Sequence, residues 1–455
     1  MKIFQKNPNI SGLFTLVNSR QIAINRLQNQ FTKNLILIMI AKCSMQEQFD
    51  QCFGSEMSNQ KVKRIKVHEI ANGEGGEGQK RESSPWLCTP VTHFADARTR
   101  LGDYFGDMAL VIVEIETDSG IIGVGSCGTA NSGIKRIIED HFAPLVIGED
   151  PFKVELIWSK LYRSSARFGR RGVAISAISG IDIALWDIMG KALNAPVYDL
   201  LGGKTRDEIQ VYASRMYALK DLDALKDEAR GYVKEGFTML KQRFGFGPAD
   251  GVKGMKGNIA LIKAVREAVG DEVEVAADAY MGWDLEYAIK MERELRPYGL
   301  KWIEEALMPH DVNGYARLCS ISQTPISHGE HSYTRWDFQE IIEKGAAHIL
   351  QPDVNRVGGI TEARKIWAMA AAKDLPVVPH GNDLHNLHLV FSQVNTPFTE
   401  YFPNVWDGGN THFWDLYEGN PVVKNGKISM SDKPGLGYTL NHDVVDKLRA
   451  KRVGK

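Results

Sequence analysis

From Lys61 onward the apolar positions fall into short runs whose period changes along the chain. Residues 62–70 alternate as a strand does, and 110–118, Ser119-Gly120 and 121–128 read as two strands joined by a tight hairpin. The intervening 73–100 is rich in Gly, Ser and Pro and has loop composition. Helical spacing follows at 134–141 and 174–193, so this region reads as a small α+β domain. From about Glu208 the pattern becomes strand-then-helix. Apolar or β-branched runs lie at 208–214, 237–243, 273–279, 300–304, 325–329, 347–352, 375–379 and 397–401, with amphipathic segments such as 224–234, 258–269, 285–295 and 358–372 between them. Eight such runs predict a (β/α)8 barrel. A doubly wound open sheet is the competing architecture, but no G-x-G-x-x-G or Walker loop follows an early strand. From Asn410 the chain returns to strand-and-turn composition (421–429 and 434–437) and is expected to pack back on the first domain.

Residues 1–60 carry no comparable pattern. They are Asn/Gln-rich and read as a disordered extension or an upstream translation start, with Met45 and Met57 as alternative beginnings. Their one membrane-like run, Leu35 to Ala41, has seven residues, against the roughly 20 a bilayer span requires, and no small-x-small cleavage site follows it. The expected organisation is therefore 1–60 extension, 61–190 α+β capping domain, 191–409 barrel catalytic domain and 410–455 C-terminal segment completing the capping domain.

A charge of −1, from 55 Lys+Arg against 56 Asp+Glu, offers no basic surface for nucleic acid or anionic membrane and favours a small-molecule role. Five scattered cysteines without a C-x-x-C pair argue against a disulfide framework or zinc site and suit a reducing cytoplasm. An assembly of like subunits is also expected.

The chemistry lies where the apolar runs end. They close on Lys241-Gln242-Arg243, Asp278, Glu304-Glu305, Glu330, Gln351-Pro352-Asp353, His380-Gly381 and Glu400. In a parallel barrel all those ends share the catalytic face. Asp278, Glu304 and Glu330 are each 26 residues from the next, one β/α unit apart. Three converging carboxylates would repel, and at least one would stay protonated, unless a hard divalent cation joined them. Asp353 on one strand end beside His380 on the next suits a general base. Lys241 and Arg243 share a strand face: the lysine suits a base or an electrostatic partner for a substrate carboxylate, the arginine a clamp on carboxylate or hydroxyl.

Taken together, Lys241-x-Arg243, Asp278, Glu304, Glu330, Asp353, His380 and Glu400 resemble the mandelate racemase subgroup of the enolase superfamily, over nearly the whole chain from Lys61. Residues 195–203 (APVYDLLGG), 206–210 (RDEIQ), 247–251 (GPADG), 301–305 (KWIEE), 329–331 (GEH), 351–354 (QPDV), 358–359 (GG) and 378–381 (VPHG) look like L-rhamnonate dehydratase-like acid-sugar dehydratases. The resemblance implies a modified TIM barrel with a capping domain and Mg²⁺ on Asp278, Glu304 and Glu330. It makes His380, oriented by Asp353, the base that takes the proton alpha to the carboxylate and then the acid for the leaving 3-hydroxyl. Glu400 would sit by the substrate carboxylate as a hydrogen-bond donor if protonated. Trp86, Arg98 and Arg100 in the capping loop, and His331, would be substrate contacts. The implied reaction is dehydration of an aldonate to a 2-keto-3-deoxy acid, with cycloisomerisation or epimerisation through the same first step, or non-catalytic binding on the same fold, as alternatives. Two departures bear on the substrate: Lys-x-Arg replaces the Lys-x-Lys of many members, and residues 83–86 (SSPW) lack the histidine common in rhamnonate-type capping loops.

Overall fold

The alternating runs of the first region form a three-stranded antiparallel sheet, β1 (Val62–Ala71), β2 (Ala109–Thr117) and β3 (Ile122–Ala130), in that spatial order. The structure is a computed structural model that describes residues 60–71, 87–94, 109–130, 133–381, 383–403 and 416–453. Gly120 closes the β2–β3 hairpin at φ +85°, a left-handed conformation glycine adopts without steric cost. The helical spacing at 134–141 appears as a helical stretch from Gly133 to Val146. Two longer helices follow, α1 (Val154–Ser165) and α2 (Val173–Ala192).

Helix α2 lies against β3 and β2. It can approach so closely because β3 offers no side chain at two points: a Cβ at Gly123 or Gly125 would fall 2.1 and 2.0 Å from the carbonyl oxygens of Ala184 and Gly180. Among the described residues α2 is also the one helix long and apolar enough to cross a membrane, and it is buried inside the protein. Its two buried carboxylates accept from backbone donors, Asp187 from Val124 and Leu436, and Asp182 through Oδ2 from Thr361.

The strand-helix alternation builds the barrel. Its strands are β4 (Ile209–Met216), β5 (Met239–Arg243), β6 (Glu274–Asp278), β7 (Ile303–Glu304), β8 (Ile326–His328), β9 (Ile349–Leu350) and β10 (Thr399–Tyr401). They pair in parallel, β10 beside β4 and then in sequence to β9. Helices α3 (Leu222–Lys234), α4 (Gly251–Val269), α5 (Leu285–Leu295), α6 (Val312–Ile321), α7 (Thr334–Glu343), α8 (Ile360–Ala371) and α9 (Leu384–Ser392) connect them. The expected strand at 375–379 is reduced to a single bridge between Val377 and Leu350. Pro376 and Pro379 have no N–H to give a ladder, which limits pairing to the two valines between them.

Inside the barrel, Tyr212, Met239, Ala276, Trp302, Ile349, Val378 and Phe398 form a core of their own. Trp302 stacks on Phe398 with centroids 5.6 Å apart, and Tyr212 meets Trp302 edge-on at 5.3 Å. This apolar plug is the floor of the site above it.

The C-terminal segment touches both halves. Strands β11 (Tyr417–Glu418) and β13 (Thr439–Leu440) pair with each other, while β12 (Lys427–Ile428) adds antiparallel to the start of β4. The chain then forms a helix, α10 (His442–Val453), against β1. The strand-and-turn reading of the tail missed this helix, whose largely polar sequence carries little apolar periodicity.

Candidate active site

In a strand, side chains two positions apart share a face. Each lumen core residue is therefore followed, two residues nearer the C-terminal mouth, by a polar one: Tyr212 by Ser214, Met239 by Lys241, Ala276 by Asp278, Trp302 by Glu304, Ile349 by Gln351, Val378 by His380 and Phe398 by Glu400. The site is the next layer of the barrel.

Lys241 is the hub of one side. Its buried ammonium bonds to Glu304 Oε1, lies 2.8 Å from Glu400 Oε1 and 3.8 Å from Asp278 Oδ2. Burial alone would favour neutral lysine, but Glu304, Glu400 and Asp278 outweigh it and push its pKa up. Lys241 thus meets those carboxylates as an ammonium in this arrangement. Glu400 accepts from Ser214 Oγ at 2.6 Å and from the Gly381 N–H at 2.6 Å as well. Burial pushes its carboxyl up, yet Lys241 and His380 bring it down to about 2. In this arrangement both Glu400 oxygens accept, Oε1 from Ser214 and Oε2 from Gly381, which favours the ionised carboxylate over a protonated donor. Arg243 stands 3.6 Å from Asp278 Oδ2 and donates to the Ser214 carbonyl at 3.1 Å.

Glu330 is the hub of the other side. Its Oε2 lies 3.3 Å from His380 Nε2, and its Oε1 lies 3.2 Å from Arg356 and 3.4 Å from His331 Nδ1. Burial would raise its pKa, but His380, His331 and Arg356 lower it to about 2. His380 Nδ1 pairs with Asp353 Oδ2 at 2.9 Å. Burial pulls this imidazole down, while Glu330, the Asp353 hydrogen bond and Glu400 push it up to about 10. Asp353 also caps a one-turn helix (Val354–Val357) by accepting the Asn355 N–H at 2.8 Å. Burial pushes its carboxyl up, but Arg356 and His380 win and hold it low.

Six buried carboxylates, Asp278, Glu304, Glu305, Glu330, Asp353 and Glu400, thus face the basic side chains of Lys241, Arg243 and Arg356, with His380 between Glu330 and Asp353. The surplus is visible in the pKa values. Burial, opposed by Lys241 and reinforced by Asp278, Glu400 and Glu330, pushes Glu304 up to about 7, and burial also pushes Glu305 up. An all-oxygen donor set with an unbalanced negative charge fits a hard divalent cation such as Mg²⁺.

The expected ligands divide unequally. Asp278 and Glu304 are register partners on β6 and β7 and share Lys241. The described His, Cys, Asp and Glu side chains whose ligand atoms all lie within 4.8 Å of one another are instead Glu305, Glu330 and His331. Of the expected trio only Glu330 belongs to that group. Glu305 was not singled out from the sequence, because strand alternation sends it away from Glu304. Its backbone at φ +41° breaks the alternation, and its Oε2 meets His331 Nδ1 at 2.7 Å. His331, expected to touch substrate, is paired with that carboxylate. Sequence reasoning also missed Gln351, which donates to Glu304 Oε2 at 2.8 Å, and Ser214. The two-residue step from the lumen core would have found both.

Trp86, Arg98 and Arg100 lie outside the described residues. The part of their loop that is described, 87–94, reaches the barrel mouth: the Cys88 N–H donates to the Phe244 carbonyl at 2.7 Å, one residue beyond β5.

Comparison with known proteins identifies the family. A family model described as the mandelate racemase/muconate lactonizing enzyme N-terminal domain matches residues 103–202, and one described as enolase C-terminal domain-like matches 224–444. The chain is 35% identical over 396 residues to L-rhamnonate dehydratase of Saccharopolyspora erythraea, covering 84% of this chain and 97% of that one. It is 38% identical over 353 residues to arabinonate dehydratase of Saccharolobus solfataricus, covering 76% and 91%. The crystal structure of rhamnonate dehydratase from Gibberella zeae complexed with Mg superposes with a TM-score of 0.76 at 32% identity, over 86% of this chain and 97% of that one.

Proposed function

Since the chain belongs to the mandelate racemase/muconate lactonizing enzyme branch of the enolase superfamily, we propose that it is a Mg²⁺-dependent acid-sugar dehydratase, a hydro-lyase turning an aldonate into a 2-keto-3-deoxy sugar acid. The observation that carries this reading is the His380–Asp353 dyad, whose Nε2 lies 3.3 Å from Glu330 Oε2 at the mouth of the barrel. The named dehydratases among its relatives support the substrate class.

Asp278, Glu304 and Glu330 would hold the Mg²⁺, with Glu305 and His331 beside them. Bound there, the cation would draw electron density from the substrate carboxylate and make the adjacent carbon acid easier to ionise. Asp353 accepts the Nδ1–H of His380, and a cation neutralising Glu330, the carboxylate that otherwise favours the imidazolium, would leave the lone pair on Nε2. Nε2 takes the proton from the carbon next to the carboxylate. The electron pair left behind forms the C2–C3 double bond as the C3–O bond breaks, and Nε2 returns its proton to the departing hydroxyl, which leaves as water. The enol then becomes the 2-keto acid. Lys241 and Arg243 contribute fixed positive charge where the carboxylate gains electron density.

Epimerisation needs a second base on the opposite face of the substrate. Lys241 is bonded to Glu304 and Glu400, an engagement that favours elimination. Cys88, Cys127 and Cys319 are buried, and a cytoplasmic location belongs to the same proposal. A homo-oligomeric working form belongs to the same proposal and is checked by light scattering on the purified protein.

Incubation with a panel of sugar acids and Mg²⁺, read as 2-keto acid by semicarbazide absorbance, tests the reaction. Product from at least one aldonate is expected. Inversion or ring opening without keto acid would replace dehydration with one of the alternatives.

A further inference from the structure

The described capping segment 87–94 meets the barrel at Cys88, which is fully buried. Its N–H donates to the Phe244 carbonyl at 2.7 Å and its Sγ to the Gly282 carbonyl at 3.5 Å. The sulfur sits between two glycines from different barrel loops. A Cβ on Gly282 would fall 2.2 Å from Sγ and 3.1 Å from the Cys88 Cβ, and a Cβ on Gly247 would fall 3.0 Å from Sγ and 2.8 Å from the Gly282 carbonyl. Real Cβ atoms do not tolerate the shortest of these separations, so the pocket for the thiol exists only because both positions lack a side chain. Gly247 opens the GPADG run that the catalytic reading leaves without a role.

Both walls of this seat are rigid. The loop after β5 is tied down by Asn258 of α4, whose Oδ1 accepts the Gly245 and Phe246 N–H groups at 3.1 Å and whose Nδ2 donates to the Phe246 carbonyl at 2.8 Å. The loop after β6 is fixed by Gly282 N–H to Ala279 O at 2.8 Å and Met281 N–H to Glu305 O at 2.6 Å. On the capping side, Thr92 Oγ1 donates to the Thr89 carbonyl at 2.6 Å and lies 3.4 Å from Cys88 Sγ, which holds 89–92 as a tight turn. The strands feeding those two loops end in Arg243 and Asp278, so the seat lies directly outside the site.

We infer that Cys88 is a positioning residue: seated between Gly247 and Gly282, it fixes the capping segment over the second and third strand ends and thereby sets the affinity for substrate. It touches no reacting group, so it governs binding and leaves the proton-transfer step alone. The kinetic arm of the test rests on the dehydratase reading; the labelling arm does not.

The test is Gly282→Ala in the full-length chain, with a relieving partner, Cys88→Gly. Native-state alkylation with N-ethylmaleimide, mapped by peptide mass spectrometry, reads the seat directly, with buried Cys127 as internal standard. Wild type should label Cys88 no faster than Cys127, and Gly282→Ala should label it about tenfold faster. With an aldonate substrate, Gly282→Ala should raise KM about tenfold and leave kcat within about threefold. The double variant Cys88→Gly/Gly282→Ala, which exchanges the glycine across the contact, should recover most of the KM. Unchanged labelling, a loss confined to kcat, or no recovery in the double variant would each overturn the inference. If Gly282→Ala does not fold, Cys88→Gly alone decides, since an empty seat should raise KM and an unchanged KM refutes the role. If no aldonate is turned over, the labelling contrast still stands or falls by itself.

Discussion

Replacing His380 with asparagine removes the imidazole that both hubs of the site converge on. Two contacts go with it, Nδ1 to Asp353 at 2.9 Å and Nε2 to Glu330 at 3.3 Å. Neither partner is abandoned. Asp353 keeps Arg356 Nε at 3.3 Å and the Asn355 N–H at 2.8 Å, and Glu330 keeps Arg356 at 3.2 Å. The cost to stability should therefore stay near the ~1–3 kcal/mol of a hydrogen bond to a charged group, and the protein should remain folded. Catalysis should suffer more. A positioned general base accounts for roughly 10²–10⁴ in rate, or about 3–5 kcal/mol of activation free energy. The loss should fall at the upper end, because the ammonium of Lys241 is engaged by Glu304 and Glu400. The assay is the initial rate of 2-keto acid formation at saturating Mg²⁺, alongside calorimetric Mg²⁺ titration of the same variant. KM and Mg²⁺ affinity should change little, since asparagine leaves the carboxylates in place. A kcat within tenfold of wild type would remove His380 from the proton transfer.

Other outcomes follow from single features of the structure. Chelation with EDTA should abolish turnover and added Mg²⁺ restore it, while Glu304→Gln should weaken Mg²⁺ binding at least tenfold in calorimetry, taking one charge from the donor set; equal affinity would strike Glu304 from the ligands. Gly125→Ala should destabilise the protein by about 3 kcal/mol or more in urea unfolding, because the added Cβ would lie 2.0 Å from the Gly180 carbonyl oxygen; a wild-type midpoint would show that the sheet and α2 can separate freely. His388, buried with Nδ1 accepting the Tyr198 N–H at 3.1 Å, is pushed by burial down to about 3. Its neutral form is favoured only in the folded chain, so its contribution is complete above the unfolded pKa of roughly 6.5 and is lost as pH falls toward 3. His388→Asn, which keeps an acceptor near that N–H, should therefore flatten the fall in stability across this window by up to one proton, about 1.4 kcal/mol per pH unit; an unchanged slope would mean the ring already titrates normally.

The order of strands and helices, and the identity of most residues at the mouth of the barrel, were legible from sequence because both follow from the two-residue repeat of a strand. Asp278, Glu304, His380 and Glu400 each sit two positions beyond an apolar lumen residue, and that spacing is written in the chain. Beyond the C-terminal helix, three features of the barrel were not. The seventh strand reads as apolar as its neighbours, but the prolines on either side limit it to one bridge, and pairing depends on N–H groups that hydrophobicity does not register. Glu305 joins the site only through a left-handed backbone turn, which no pattern of side chains announces. The charge states of Lys241 and Glu400 depend on which carboxylates and donors gather from strands far apart in sequence, with burial removing the water that would otherwise screen them. A sequence specifies which groups can ionise and which face of a strand they occupy; the distances between them, and hence their protonation, exist only once the barrel has closed.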